Sequence, residues 1–198
     1  VTSNANGGKE VTQTQSCTPT GTYNTFVPIT PTKNTSTFKD ALITIKSQMS
    51  ALGIADDDKL KYCVFAALYL ESSTTTGFES YENNYAGIDL TQSWGESGKY
   101  FNSNQQYFCL KSDTTTLPYA VFDDLTNNVV MLLERWKGRM GIVPNNTAKE
   151  ITKFWILNFG ATQKDLNVYT GMDATKLSNI ESKVKKSIDL VNSIQLAV

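Results

Sequence analysis

The sequence contains no histidine, little cysteine and few charged residues. Without histidine, the chain has no Ser-His-Asp or Cys-His catalytic site, no histidine-ligated metal and no imidazole acid–base chemistry. Charged residues make up 19% of the 198 residues and the formal net charge is −1, so we expect no nucleic-acid partner. Catalysis would depend mainly on carboxylate, lysine, tyrosine, serine or cysteine side chains.

The three cysteines, Cys17, Cys63 and Cys109, lie far apart and form no C-x-x-C pair. This spacing argues against a structural zinc or iron–sulfur site, and we expect no metal and no organic cofactor. Two states are open for the cysteines: three free thiols, which we favour, or a Cys63–Cys109 disulfide. No run approaches the roughly 18 apolar residues of a transmembrane helix, so no membrane span is expected.

Residues 1–36 differ in composition from the rest of the chain. They are rich in Thr, Ser, Asn, Gly and Pro, and their only charged residues are Lys9, Glu10 and Lys33. Such a stretch has little apolar surface to offset the entropy lost on ordering. The composition therefore predicts an extended arm or linker that adds little to the stability of the domain. Its few apolar residues, Tyr23, Phe26, Val27 and Ile29, could pin its second half to the domain or to a partner.

Apolar residues then recur at helical spacing. A first helix is predicted to begin after Thr37 and to end at Gly53, and a second to begin at Asp56 and to reach Glu71. Later helices are predicted near residues 123–138, 147–160 and 173–191.

Between the second and third helices the helical period is lost. Residues 72–82 are predicted to form a polar loop, and residues 99–101 and 107–110 two strands around the turn at residues 102–104. The predicted fold class is α+β, mainly α, with a small β-hairpin lobe. Residues 37–198 would form one domain, of which residues 142–198 are a helical C-terminal addition.

Glu71 is the most notable carboxylate in the sequence. It lies in the last turn of the predicted second helix and extends the apolar face formed by Ala67 and Leu68. Burial and the negative end of the helix dipole both favour the protonated acid. Glycosidic-bond cleavage needs such an acid, because the leaving oxygen must be protonated as the bond breaks. The alternative is a glutamate at the core boundary that reaches solvent or pairs with Lys or Arg.

The sequence around Glu71 carries a family resemblance. Residues 66–72 read AALYLES and residues 83–88 read NNYAGI, with a polar loop between them. This order resembles the lysozyme-like peptidoglycan hydrolases, most of all the family-73 β-N-acetylglucosaminidases, in which A-x-L-E-S is followed by N-N-L-F-G-I. Trp94 and residues 119–124 are similar to later segments of that family. The resemblance spans residues 58–138 and implies a lysozyme-like fold.

The resemblance implies an enzyme that cleaves the β-1,4 glycan strand of bacterial peptidoglycan with Glu71 as its general acid. The glucosaminidase, muramidase and lytic transglycosylase types all remain open. Tyr119 would substitute for a family tyrosine whose position falls on Phe122. The implied substrate-binding residues are Asn84, Tyr85, Gly87, Trp94, Tyr100 and Tyr119.

Each of these assignments has a structural alternative. Asn84 and Gly87 are also typical of turns, since Asn and Gly tolerate left-handed backbone. Trp94, Tyr100 and Tyr107 could stack on sugar rings, or they could pack the small β lobe.

The chain also departs from the family pattern. Family members often carry a second acid in the hairpin, but residues 99–106 contain neither Asp nor Glu. Asp89, Glu96 and Asp113 are the candidate substitutes, and the single-acid mechanism of the lytic transglycosylases is open as well. One alternative function is a non-catalytic lysozyme-fold module that binds peptidoglycan or a structural partner. Another is a helical interaction domain whose motif match is accidental.

The order of arm, core and C-terminal helices suggests a component of a larger device. We expect the protein to act at the bacterial cell wall, either secreted or virion-associated, for example in a phage tail or baseplate. Residues 1–36 or 142–198 would then contact a structural protein partner.

Overall fold

The computed structural model describes residues 10–11, 17–56, 59–111, 114–142 and 147–196. Within these residues the fold is α+β and mainly α, as predicted. The helices are α1 (Phe38–Ala51), α2 (Leu60–Ser72), α3 (Leu125–Trp136), α4 (Ala148–Asn158), α5 (Leu166–Thr170) and α6 (Ala174–Leu196). The strands are β1 (Glu10–Val11), β2 (Val27–Pro28), β3 (Lys33–Thr37), β4 (Gly77–Tyr81), β5 (Gln106–Lys111) and β6 (Thr116–Ala120).

Helix α2 lies at the centre of the fold. Every residue from Leu60 to Leu68 is buried, and α1, α3, α4, α6 and β4 all pack against the helix. A helix whose residues are mostly apolar on every face is stable only when it is enclosed in this way. Only its last turn approaches the surface, where Tyr69, Leu70 and Glu71 are partly buried.

The local signals for helix ends hold in the structure. The Thr37 hydroxyl accepts a hydrogen bond from Asp40 N at 3.0 Å, which satisfies a free amide of the first turn of α1. Asp124 and Thr147 cap α3 and α4 in the same manner. Helix α2 begins at Leu60 rather than at Asp56, and residues 57–58 of the predicted start lie outside the described residues.

The strands form two small sheets. Strand β5 pairs with β6 and β1 in antiparallel orientation and with β2 in parallel orientation, while β3 and β4 form an antiparallel pair. Two predictions were wrong here. The predicted polar loop 72–82 contains β4, and residues 99–100 belong to a 3-10 helix (Gly95–Tyr100), so the hairpin partner of β5 is β6. Strand β4 was missed because its partner, β3, lies far earlier in the chain. The hairpin was misassigned because β5 pairs with the strand that follows it and not with the segment before it.

Residues 17–36 are not the extended arm that their composition predicted, and residues 1–9 and 12–16 of that predicted arm lie outside the described residues. Strands β2 and β3 pair with β5 and β4, and the Tyr23 side chain is buried in the main core. Backbone hydrogen bonds to a sheet need no apolar side chains, so a composition rich in Thr and Asn conceals them.

Both predictions for the cysteines were wrong. Cys17 and Cys109 form a disulfide with a sulfur–sulfur distance of 2.00 Å, across 92 residues of sequence. Cys63 is buried in α2 and takes no part in a disulfide. The bridge ties the N-terminal segment to strand β5.

The C-terminal helices complete the same core. Helix α6 packs against α2 and α4, and Val184 and Val191 are fully buried. Within the described part of the chain, no helix is both long and apolar enough to cross a membrane.

Candidate active site

The end of α2 is fixed to the loop that follows β4. Ser72 is buried, and its hydroxyl lies 2.9 Å from Leu68 O and 2.8 Å from Tyr85 O. The hydroxyl therefore connects the last turn of the helix to residues 83–88, the second motif of the resemblance. Glu71, one residue before it, is held at the point where the buried helix meets that loop.

Gly87 packs directly against the carboxyl group of Glu71. Its φ is +69°, and a Cβ built on it would lie 2.6 Å from Glu71 Oε2 and 3.2 Å from Glu71 Cδ. Real Cβ atoms do not approach other atoms so closely, and L-residues disfavour this φ. The conformation therefore favours glycine at position 87, and any larger residue there would displace the Glu71 carboxyl group.

Asn84 holds the same loop from inside. The side chain is fully buried; Nδ2 donates to Ile88 O at 2.9 Å and to Ala120 O at 2.8 Å, while Oδ1 accepts from Ile88 N at 2.8 Å. All three bonds go to backbone, so Asn84 shapes the loop without facing a ligand. Tyr85 is buried as well.

Asn128 is a site-building residue that the sequence interpretation missed. It is fully buried in α3, and its Oδ1 accepts from Tyr85 N at 2.9 Å and from Ala86 N at 3.1 Å. The available signal was its position: Asn128 falls on the apolar stripe of α3, beside Val129 and one turn before Leu132. A polar residue on a core-facing stripe must find a partner, since an unpaired polar group is costly to bury.

Tyr119 brings the two carboxylates of the site into one neighbourhood. It is buried on β6 and forms an isolated antiparallel bridge with Asp89. Burial, first, and then the negative charges of Asp89 and Glu71 raise the pKa of the Tyr119 phenol well above its usual range. Glu71 contacts Gly87, and Asp89, two residues further along the same loop, is bridged to Tyr119. These four residues are called the Glu71 cluster below.

Of the two candidate second acids among the described residues, Asp89 is the one that belongs to this cluster. Its Oδ1 accepts from Thr91 N at 3.0 Å and its Oδ2 from Gln92 Nε2 at 2.9 Å. Gln92 is itself held by Ala161 N, which donates to Gln92 Oε1 at 2.7 Å. Glu96 is exposed on the 3-10 helix, and Asp113 lies outside the described residues.

Trp94 is a core residue that contacts the candidate site through a hydrogen bond to Asp89. Only 4% of its surface is exposed, its Nε1 donates to Asp89 O at 2.6 Å, and the Arg135 guanidinium lies 5.0 Å from its ring centre. In this arrangement the indole supports Asp89 and offers no face for a sugar ring. Tyr107 is buried too, which agrees with the packing alternative for both residues.

Tyr100 differs from the other aromatic candidates. It is partly buried on the 3-10 helix, and Lys99 Nζ lies 5.3 Å from its ring centre. Of the three predicted stacking residues, Tyr100 keeps the most solvent contact.

Comparison with known proteins adds no relative to this picture. No family model, no curated protein and no solved structure matches the chain. The interpretation of the site therefore depends on its residues and their geometry.

Proposed function

We propose that the protein is a peptidoglycan hydrolase that cleaves the β-1,4 glycan strand with Glu71 as general acid. The observation that carries the proposal is the position of the Glu71 carboxyl group. The carboxyl group belongs to the last turn of α2, where the buried helix approaches the surface. It packs against Gly87, in the same cluster as Asp89 and Tyr119. Glycosidic-bond cleavage needs a carboxylic acid at such a position, because the leaving oxygen must be protonated as the bond breaks.

In the proposed reaction, Glu71 gives its proton to the glycosidic oxygen as the bond from that oxygen to the anomeric carbon breaks. The electron-poor sugar carbon is then attacked either by water or by the C6 hydroxyl of the same sugar. Asp89 is the candidate for the second carboxylate in the first route, where it would take a proton from the attacking water. It lies two residues beyond Gly87, which contacts Glu71, and its backbone is bridged to Tyr119. In the second route Glu71 acts alone and takes the hydroxyl proton.

The disulfide supports a place of action outside the bacterial cytosol. Disulfides persist in oxidising compartments and are rare where cellular thiols keep cysteines reduced. Cys17–Cys109 joins two buried cysteines that are 92 residues apart in the sequence, as in a structural bridge. We propose that the protein acts at the cell wall, secreted or virion-associated, in keeping with a phage cell-wall-penetrating device.

The test is the release of muropeptides from purified sacculi by wild type and by Glu71→Gln. The amide has the shape of the acid but no proton to donate, so activity should fall by about 10²–10⁴-fold with the fold unchanged. Glu134→Gln is the control, because it removes only a surface ion pair with Lys137. Anhydro chain ends in the products would identify the single-acid route, and reducing ends the hydrolytic one. An active Glu71→Gln protein would refute the proposal.

A non-catalytic module on the same site is the second candidate. Two observations favour it: the segment 99–106 has no acid, and Trp94 and Tyr119 are buried rather than presented to a sugar. This candidate predicts that wild type and Glu71→Gln bind sacculi equally and that neither releases muropeptides.

A further inference from the structure

We propose that residues 17–28, here named the N-terminal strap, position Asp89, and that Tyr23 is the positioning residue through which the strap acts. The importance of Asp89 for catalysis rests on the proposed function. The mechanical connection between the strap and Asp89 rests only on the contacts below, and it can be tested separately.

The strap is fastened at both ends to strand β5. At one end Cys17 is bonded to Cys109, in the middle of β5. At the other end Val27 N donates to Gln105 O at 2.8 Å, and β2 continues the parallel pairing with β5. The chain between these anchors forms a short 3-10 turn (Gly21–Tyr23), so its path is fixed at two points and bent in between.

Tyr23 is the residue of this turn that enters the core. It is buried, and its ring packs edge-on against Phe26 and Phe101, with ring centres 5.3 Å and 5.9 Å away. Its hydroxyl oxygen accepts a hydrogen bond from Trp94 N at 2.8 Å. The strap therefore supplies the acceptor for a buried backbone amide 71 residues further along the chain.

Trp94 links Tyr23 to Asp89 through two hydrogen bonds. Its amide is held by Tyr23, its ring is covered by Arg135, and its Nε1 donates to Asp89 O at 2.6 Å. Asp89 in turn binds Thr91 N through its carboxylate, so residues 89–94 form one closed turn. A shift of the Trp94 main chain should therefore be transmitted to Asp89, whose backbone is bridged to Tyr119.

The first test is Tyr23→Phe, which keeps the ring and its contacts and removes only the hydroxyl acceptor. Tyr62→Phe is the matched control: its hydroxyl donates to Asn192 Oδ1 at 2.7 Å, and neither residue belongs to the candidate site. In ¹⁵N spectra of the whole chain, Tyr23→Phe should shift the amide and indole resonances of Trp94 and the amide of Asp89. Tyr62→Phe should leave those three resonances unchanged.

The activity readout separates positioning from general stability. In the hydrolytic route, in which Asp89 is the second carboxylate, Tyr23→Phe should lower kcat on solubilised glycan strands by about tenfold or more, because a displacement of about 1 Å can cost up to about 10²-fold. KM should stay within about twofold, since no substrate contact is removed. Tyr62→Phe should change neither constant.

The second test removes the Cys17–Cys109 disulfide, which anchors the first residue of the strap to β5. The double variant Cys17→Ala/Cys109→Ala should shift the same Trp94 and Asp89 resonances in the same direction as Tyr23→Phe. If both variants leave these resonances in place, the strap does not position Asp89 and the proposal is overturned. If wild type releases no muropeptides while the resonances shift, the proposed function fails and the positioning by the strap stands.

Discussion

The Cα of Gly87 lies directly against the carboxyl group of Glu71, and a Cβ at position 87 would displace that group from its present position. A Cβ at this position would lie 2.6 Å from Glu71 Oε2, and the backbone has a φ of +69°. The second sequence motif therefore acts on the first by direct contact. Because position 87 has no side chain, the Glu71 carboxyl group can lie directly against the backbone of this loop.

Gly87→Ala should consequently destabilise the protein and impair the site. The unfavourable φ alone costs about 1–2 kcal/mol, and the contact with Glu71 adds to it. Gly53→Ala is the matched control: φ is +71°, and no described atom lies within 4 Å of the new Cβ. Urea unfolding of both variants isolates the contact as the excess loss of unfolding free energy in Gly87→Ala.

The origin of that excess can be checked in the Glu71→Ala background. Removing the carboxyl group should bring the cost of Gly87→Ala down to that of Gly53→Ala. Equal costs for the two alanine variants in the wild-type background would mean that the loop moves away at no expense, contrary to the proposed role of Gly87.

The two described candidates for the second acid make opposite predictions. Asp89→Asn should lower glycan cleavage by about 10²-fold or more if water is the nucleophile, because the carboxylate near Tyr119 is lost. Glu96→Gln should keep wild-type activity, since Glu96 is exposed on the 3-10 helix. Full activity of both variants with anhydro products would instead support Glu71 acting alone.

The disulfide should be a major source of stability. Cys17 and Cys109 close a loop with a sequence separation of 92, for which loss of the bridge typically costs about 2–5 kcal/mol. Thermal unfolding of wild type treated with a dithiol reductant should match that of the double variant Cys17→Ser/Cys109→Ser in the absence of reductant. If the melting temperature is unchanged in the reduced wild type and in the double variant, the disulfide adds little to stability, as the composition of residues 1–36 predicted for this segment.

Tyr119 predicts a loss of stability in alkali. Its folded-state pKa is raised above 10, so above pH 10 the unfolded chain releases the proton while the folded chain retains it. The free energy of unfolding then falls as pH rises, by up to about 1.4 kcal/mol per pH unit for one such group. Tyr119→Phe should reduce this slope in denaturant titrations from neutral pH to about pH 11. Burial also raises the pKa of Tyr85, so part of the slope should remain; an identical slope in Tyr119→Phe would contradict the assignment.

The helices were the most predictable part of the fold. The starts of α1, α3 and α4 depend on a side chain and an amide a few residues apart, as with Thr37 and Asp40. Glu71 could be found for the same reason, because helical spacing placed it on the apolar face of α2. These relations are local, so the order of the residues contains them.

The position of the second acid was less predictable. Asp89, Glu96 and Asp113 were equal candidates in the sequence, and the distinction between Asp89 and Glu96 arises from β6, which carries Tyr119 to Asp89. Asn128 was missed because its partners, Tyr85 N and Ala86 N, are more than 40 residues away.

The sequence by itself determined the chemistry that is open to this protein: no histidine, a glutamate at the end of an apolar helix, and an Asn- and Gly-rich loop after it. The tertiary structure decided which groups meet: Gly87 with Glu71, Asp89 with Tyr119, and Cys17 with Cys109. The physical reason is the range of the interactions. Helix periodicity and capping act over a few residues, whereas strand pairing, disulfide formation and burial of polar groups depend on segments that only the folded chain brings together.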